Sequence, residues 1–122
     1  MSDLNELFGD FIFSYSRKQA ISDGVLVDLS QFQVIREHWK LHLACTDAVW
    51  GIIDHAVKHE GKDIEGVLHD ISVMAKMRIG KDAGDTLFFD CIIGTDKRSL
   101  KLHCGPGDTA VPVLTLMLPN ED

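Results

Sequence analysis

The sequence predicts an α+β fold: an antiparallel β-sheet, in the element order ββααβββ, with a two-helix hairpin packed on one face. Two observations carry this. Through the middle of the chain apolar residues recur every three or four positions, while in the last third they alternate, so helices give way to half-buried strands. Gly24, Gly61 and Gly80 each close a periodic run, where a glycine ends a helix without steric cost.

Residues 1–9 are mostly polar and are expected to fray. The stretch 11–15, FIFSY, is aromatic and β-branched and predicts a first strand. Ser16 then caps a short helix with Ala20 and Ile21 turned inward. Residues 25–30, VLVDLS, alternate and predict the second strand. Residues 31–45 have no clean period and predict an irregular connection with a short extended or helical piece.

Thr46 caps a helix whose stripe is Val49, Ile52, Ile53, Ala56 and Val57. Asp63 caps its partner, with Ile64, Val67, Leu68, Ile71, Met74 and Ala75 on the apolar side. A hairpin turning on Thr95 and Asp96 then collects Leu87, Phe89, Cys91, Ile93, Leu100, Leu102 and Cys104 on one sheet face. Phe88, Asp90, Ile92, Ser99, Lys101 and His103 fall on the other. A second turn at Pro106 and Gly107, with Ala110 opposite Cys104, adds Pro112, Leu114 and Leu116 to the core face. Because Pro112 has no N–H to give a ladder, this last strand is expected at a sheet edge or to begin with a bulge.

A chain of 122 residues suits a single globular domain spanning 1–122. Its net charge of −7 argues against a nucleic-acid binder that relies on a broad basic face; it suits a basic protein partner, though an acidic balance is more often a solubility device. Cys45, Cys91 and Cys104 are odd in number and far apart, which argues against a disulfide scaffold or a cysteine-rich zinc site and for a reducing cytoplasm. The acidic start MSDLNELFGD and the lack of a long apolar run lead to the expectation of no signal peptide and no membrane span, and no cofactor is expected.

The adjacent His103 and Cys104 resemble a base and nucleophile, yet neighbours in a strand point to opposite faces and cannot meet. The GPGD stretch lacks the lysine and following helix of a phosphate loop, and reads as a turn. His55 and His59, four residues apart on a helix, are weak metal candidates without a defined third ligand; Glu60 and His69 are the nearest in type. Trp39, in the irregular segment, is a candidate exposed anchor.

Two segments carry a family resemblance. FIFSYSRKQAISDGVLVDLS, and later LKLHCGPGDTAVPVLTLMLPNED, resemble the two ends of a family of small proteins of unknown function carried on bacterial plasmids, phages and other mobile elements. The matching positions are Tyr15, Ser16, Arg17, Gln19, Asp23, Gly24 and Asp28, then Gly105, Pro106, Gly107 and Asp108. The resemblance implies an accessory protein of a mobile element. Both groups flank turns, so Arg17 is expected to pair with Asp23, Asp28 or Asp108.

Two functions follow as expectations. The first is a non-catalytic protein-binding module whose interface draws on Trp39, Phe88, Ile92, Val113 and Met117. Variants of it are a homodimer through the exposed sheet face, Val111 included, and, by analogy, an anti-CRISPR-like inhibitor. The second is a small enzyme or ligand-binding protein whose pocket contains Tyr15, Arg17, Asp28 and Asp108 with strongly shifted ionisation.

Overall fold

Residues 15–80 and 84–121 are described by the computed structural model. The strand expected over 11–15 therefore lies, Tyr15 excepted, outside the described residues, as do the expected frayed residues 1–9. Ser16 caps helix α1 (Arg17–Ser22) by accepting the Gln19 N–H at 2.9 Å. Strand β1 (Leu26–Asp28) is shorter than the alternation over 25–30 predicts. Asp28 accepts the Ser30 N–H and turns the chain into a 3-10 turn, Leu29–Gln31.

The segment without a clear period contains both helix α2 (Gln33–His38) and strand β2 (Leu43–Thr46). Helices α3 (Asp47–His59) and α4 (Ile64–Arg78) start where Thr46 and Asp63 accept the N–H groups of Val49 and Gly66. Val49, Ile53 and Ala56 of α3 are buried with Val67, Leu68, Ile71 and Ala75 of α4. Met74, expected in the α4 stripe, is exposed, and Ser72 takes a buried place instead. Its hydroxyl donates to the Leu68 carbonyl at 2.8 Å and accepts from the Trp39 indole at 3.0 Å, so burial leaves neither of these two side chains unpaired.

Strands β3 (Thr86–Ile93), β4 (Asp96–Pro106) and β5 (Pro112–Met117) complete a five-stranded sheet in the order β1-β2-β5-β4-β3. The sheet is mixed, not purely antiparallel: β2 and β5 run parallel and every other pair antiparallel. The element order is likewise not the predicted one, because β2 and α2 arise from the segment without a clear period. Strand β5 is central, with β2 on one side, where the Leu114 N–H donates to the His42 carbonyl at 2.8 Å. Pro112 is tolerated there because it is the first residue of the strand.

Both predicted registers slip while the faces hold. The hairpin turns on Gly94 and Thr95, leaving Ile93 opposite Asp96, because Gly94 supplies the positive φ of 68° that the turn needs. The β4–β5 pairing places Cys104 opposite Leu114 rather than Ala110, so Gly105 and Pro106 continue β4. Each slip moves the pairing by an even number of residues, which keeps each side chain on its face. One face packs beneath α2, α3 and α4 and buries Phe89, Cys91, Ile93, Leu100, Leu102, Leu114 and Leu116.

The second face has two halves. In one register row Asp28, Ala44, Thr115, His103 and Thr86 lie side by side from β1 to β3. At the β1–β2–β5 end this face is closed by α1, and by the residues after β5, where Glu121 accepts from the Thr46 hydroxyl and the Leu118 N–H. At the β3 end, among the described residues, it is open: Phe88 and Ile92 are 52% and 65% exposed.

Candidate functional site

Arg17 is where the two resemblance segments meet. Asp108 accepts the backbone N–H groups of Arg17 and Lys18 at 2.8 and 2.9 Å, supplying the first turn of α1 with acceptors. The Arg17 guanidinium donates to the Thr115 hydroxyl at 2.7 Å and to the Leu114 carbonyl, and its Nε lies 3.4 Å from His42 Nδ1. His42 Nε2 is in turn 2.9 Å from Asp28. The expected pairing of Arg17 with the aspartates thus takes two forms, backbone to Asp108 and through His42 to Asp28. Asp23 is held apart from this network, bonded by the Tyr15 hydroxyl at 2.5 Å and the Gln19 amide at 3.0 Å.

The electrostatics match a structural joint. Half-burial lowers the Arg17 pKa, and the charges of Asp108 and Asp28 work against that fall. Asp108 is held below the usual carboxylate range, first by the Lys18 and Arg17 N–H groups, against an opposing effect of burial that outweighs either of the lesser contributions from the two cations. Tyr15 is raised, chiefly because its hydroxyl donates to Asp23.

A depression of about 300 Å³ lies here, lined by Arg17, Lys18, Ile21, His42, Asp108 and Thr109 with Val113. Tyr15 and Asp28 are not in its lining, and the guanidinium is already bonded to Thr115 and Leu114. These side chains fasten α1 across β2 and β5 and present no aligned nucleophile and base.

The Asp108 contacts have a consequence for acid stability. A carboxyl with a depressed folded-state pKa contributes its full stabilisation above its unfolded pKa, about 3.9, and loses it as pH falls through the folded value. The stability gap between wild type and Asp108→Asn is therefore expected to be widest near neutrality and to shrink below about pH 4. Thermal melts of both proteins from pH 3 to 7 measure it; a gap independent of pH contradicts the assignment.

The remaining sequence candidates separate. His103 and Cys104 lie on opposite faces, with the His103 ring over Gly105, where a Cβ would collide with it. Cys45 is pushed up to about 12 by burial, then by Glu121 and Asp47. Cys91 is pushed up to about 11 by burial, then by Asp70, so neither is a thiolate nucleophile. His55 and His59 stack loosely and are exposed, while Glu60 is bonded to Thr95 and His69 to His38. Among the described residues no group of three metal-ligating side chains gathers.

The structure also corrects part of the expected interface. Trp39 is not an exposed anchor: it packs against the core, bonds Ser72 and carries Lys76 over its ring at 5.1 Å. Met117 is only 6% exposed, because the chain after β5 folds back beside it. Val113 is half-buried against the Arg17 depression. Phe88 and Ile92 alone of the five are exposed.

Those two residues border a feature the sequence does not announce. Among the described residues β3 has a sheet neighbour only in β4. The Cys104 N–H donates to the Asp85 carbonyl, so in the antiparallel ladder the odd-numbered residues of β3 face β4. Phe88, Asp90 and Ile92 direct their N–H and C=O groups to the outer edge.

A concavity of about 650 Å³ takes its lining from both sides of this edge, including Met74, Met77 and Arg78 of α4 and Phe88, Asp90 and Ser99 of the sheet. A smaller one of about 250 Å³ holds Asp70, Val73, Met74 and Ile92. Asp90 accepts from the Ser99 hydroxyl at 2.7 Å and lies 3.6 Å from Lys97; Ser99 foremost keeps its pKa low despite partial desolvation. The signal for this site was the row of apolar residues on the polar face, Phe88 and Ile92. What the sequence could not show is that β3 is an edge among the described residues.

No protein-family model matches the chain, and no curated protein or solved structure matches it either. Among the described residues no helix is long and apolar enough to cross a membrane.

Proposed function

We propose that this protein is a non-catalytic docking module that takes an extended, basic segment of another protein as an added strand on β3. The observation that carries the reading is the unpaired outer edge of β3 among the described residues, bordered by exposed Met77 and Met74 on one side and Phe88 and Ile92 on the other. Strand addition draws affinity from main-chain hydrogen bonds and specificity from alternate side chains. Apolar residues of the partner would cover Phe88 and Ile92, and a Lys or Arg between them would face Asp90.

The net charge of −7 and the carboxylates of Asp90 and Asp70 along the two concavities favour a basic occupant, with Arg78 and Lys97 already standing near Asp90. A second copy fits less well: the antiparallel register that sets Phe88 opposite Ile92 sets Asp90 opposite Asp90, and like charges directly opposed are destabilising. The resemblance of the chain ends supports an accessory role on a mobile element, with a host or element protein as partner.

Selection of extended peptides from a phage-displayed library against the immobilised protein tests this. The enriched sequences are expected to alternate apolar residues and to carry Lys or Arg. Ile92→Asp is expected to weaken them more than about tenfold, about 1.4 kcal/mol. Val111→Asp, exposed but away from the edge, is expected to leave them unchanged. Enrichment of peptides indifferent to Ile92→Asp, or of none, contradicts the reading.

A further inference from the structure

A second feature stands apart from the β3 edge docking reading. His38, the last residue of α2, and His69, on α4, direct ring nitrogens at each other: His38 Nε2 and His69 Nδ1 are 2.9 Å apart, with ring centroids at 4.9 Å and planes tilted by 53°. Neither the spacing of the two residues in sequence, 31 positions, nor any helical period brings them together; the packing of α2 on α4 does.

That separation has a specific meaning for metal chemistry. Two nitrogens bound at about 2.0–2.1 Å to one tetrahedral zinc stand roughly 3.3 Å apart, and at the right angle of a tetragonal copper or nickel site roughly 2.9 Å. The two imidazoles are hydrogen-bonded to each other, and a cation would take the place of the proton they share once the rings turn, on two elements fixed independently. Trp39 bonds Ser72, three residues beyond His69, and Phe32 at the start of α2 stacks on Trp50 at 6.2 Å. The backbone bearing both histidines is held by the core, so an ion could enter with side-chain rotation alone. The ring donors favour zinc, copper or nickel over magnesium or calcium, which prefer oxygen.

We propose that His38 and His69 form an exchangeable two-histidine site for a first-row divalent cation, with water completing its coordination. The site clasps α2 to α4. It is a different pair from His55 and His59, which lie on α3 alone; among the described residues neither pair has a third protein ligand.

Titration of the metal-free protein with Zn²⁺, read by calorimetry, is expected to saturate at one ion per chain, and Mg²⁺ is expected to give no saturation. His38→Gln and His69→Gln are each expected to weaken Zn²⁺ binding more than about tenfold, with thermal melts in chelator confirming that each variant folds. The double variant His55→Gln/His59→Gln is expected to bind as the wild type does. A readout on the unaltered protein covers the case of a variant that fails to fold: in side-chain nitrogen NMR, Zn²⁺ is expected to shift the ring signals of His38 and His69 and leave those of His55 and His59 in place. Absence of saturable binding, undiminished affinity in His69→Gln, or Zn²⁺ shifts confined to His55 and His59 overturns the proposal.

Discussion

Leu116→Ala is expected to destabilise the protein by about 2–5 kcal/mol, the cost of removing a fully buried leucine side chain and leaving a cavity. Leu116 is 1% exposed and sits in β5 with Cys45 of β2 on one side and Leu102 of β4 on the other. Both neighbours belong to paired strands, so neither can close far into the space. A domain of this size has about 5–15 kcal/mol of stability in all, so the loss is a large fraction of it. Urea unfolding should show the midpoint falling sharply with an unchanged slope. A loss under about 1 kcal/mol would contradict the central placement of β5.

Arg17→Ala is expected to cost about 2–3 kcal/mol, because charged hydrogen bonds are lost from a half-buried guanidinium and their acceptors are left behind. The Thr115 hydroxyl and the Leu114 carbonyl lose a donor together, and His42 loses its neighbour. Arg17→Lys is expected to recover less than half of the loss. An ammonium is a point charge and cannot reproduce the planar fork that meets two acceptors and His42 at once. Chemical denaturation of the two variants measures both effects. A lysine variant as stable as the wild type would mean that charge alone, and not the geometry of the fork, holds α1 on the sheet.

How much of this was legible in the sequence depended on whether a feature was local. Caps were legible because each is a short-range bond: Ser16, Thr46 and Asp63 all accept the N–H three residues on. Sheet faces were legible because alternation survives any even slip, so Phe89, Leu100 and Leu102 were placed correctly in a register that was wrong. The slip itself arose from choosing Thr95 and Asp96 for a turn that Gly94 makes more readily.

Strand β2 was not legible. Leu43, Ala44 and Cys45 are all buried, and a four-residue strand covered on both faces shows no alternation. Missing it concealed the parallel β2–β5 pairing and made Pro112 look like the mark of an edge strand. In the site, the resemblance of the two turn segments led to the expectation that Arg17 meets one of Asp23, Asp28 and Asp108, and the direct contact that forms is from its backbone to Asp108. The relay through His42 was not foreseen, because His42 lies in the segment without a clear period. Trp39 was misplaced for the same reason: its partner Ser72 is 33 residues away, a polar residue at a buried helical position that no apolar pattern marks.

The open edge of β3 among the described residues is the central claim, and residue-resolved amide hydrogen exchange tests it most directly. In the free protein the amides of Phe89 and Cys91, which face β4, are predicted to exchange slowly, while those of Phe88, Asp90 and Ile92 exchange fast. Addition of a selected basic peptide is predicted to slow these three by more than tenfold, about 1.4 kcal/mol of protection. Three edge amides that are already as slow as their neighbours in the free protein, or that stay fast when the peptide is bound, would contradict the account.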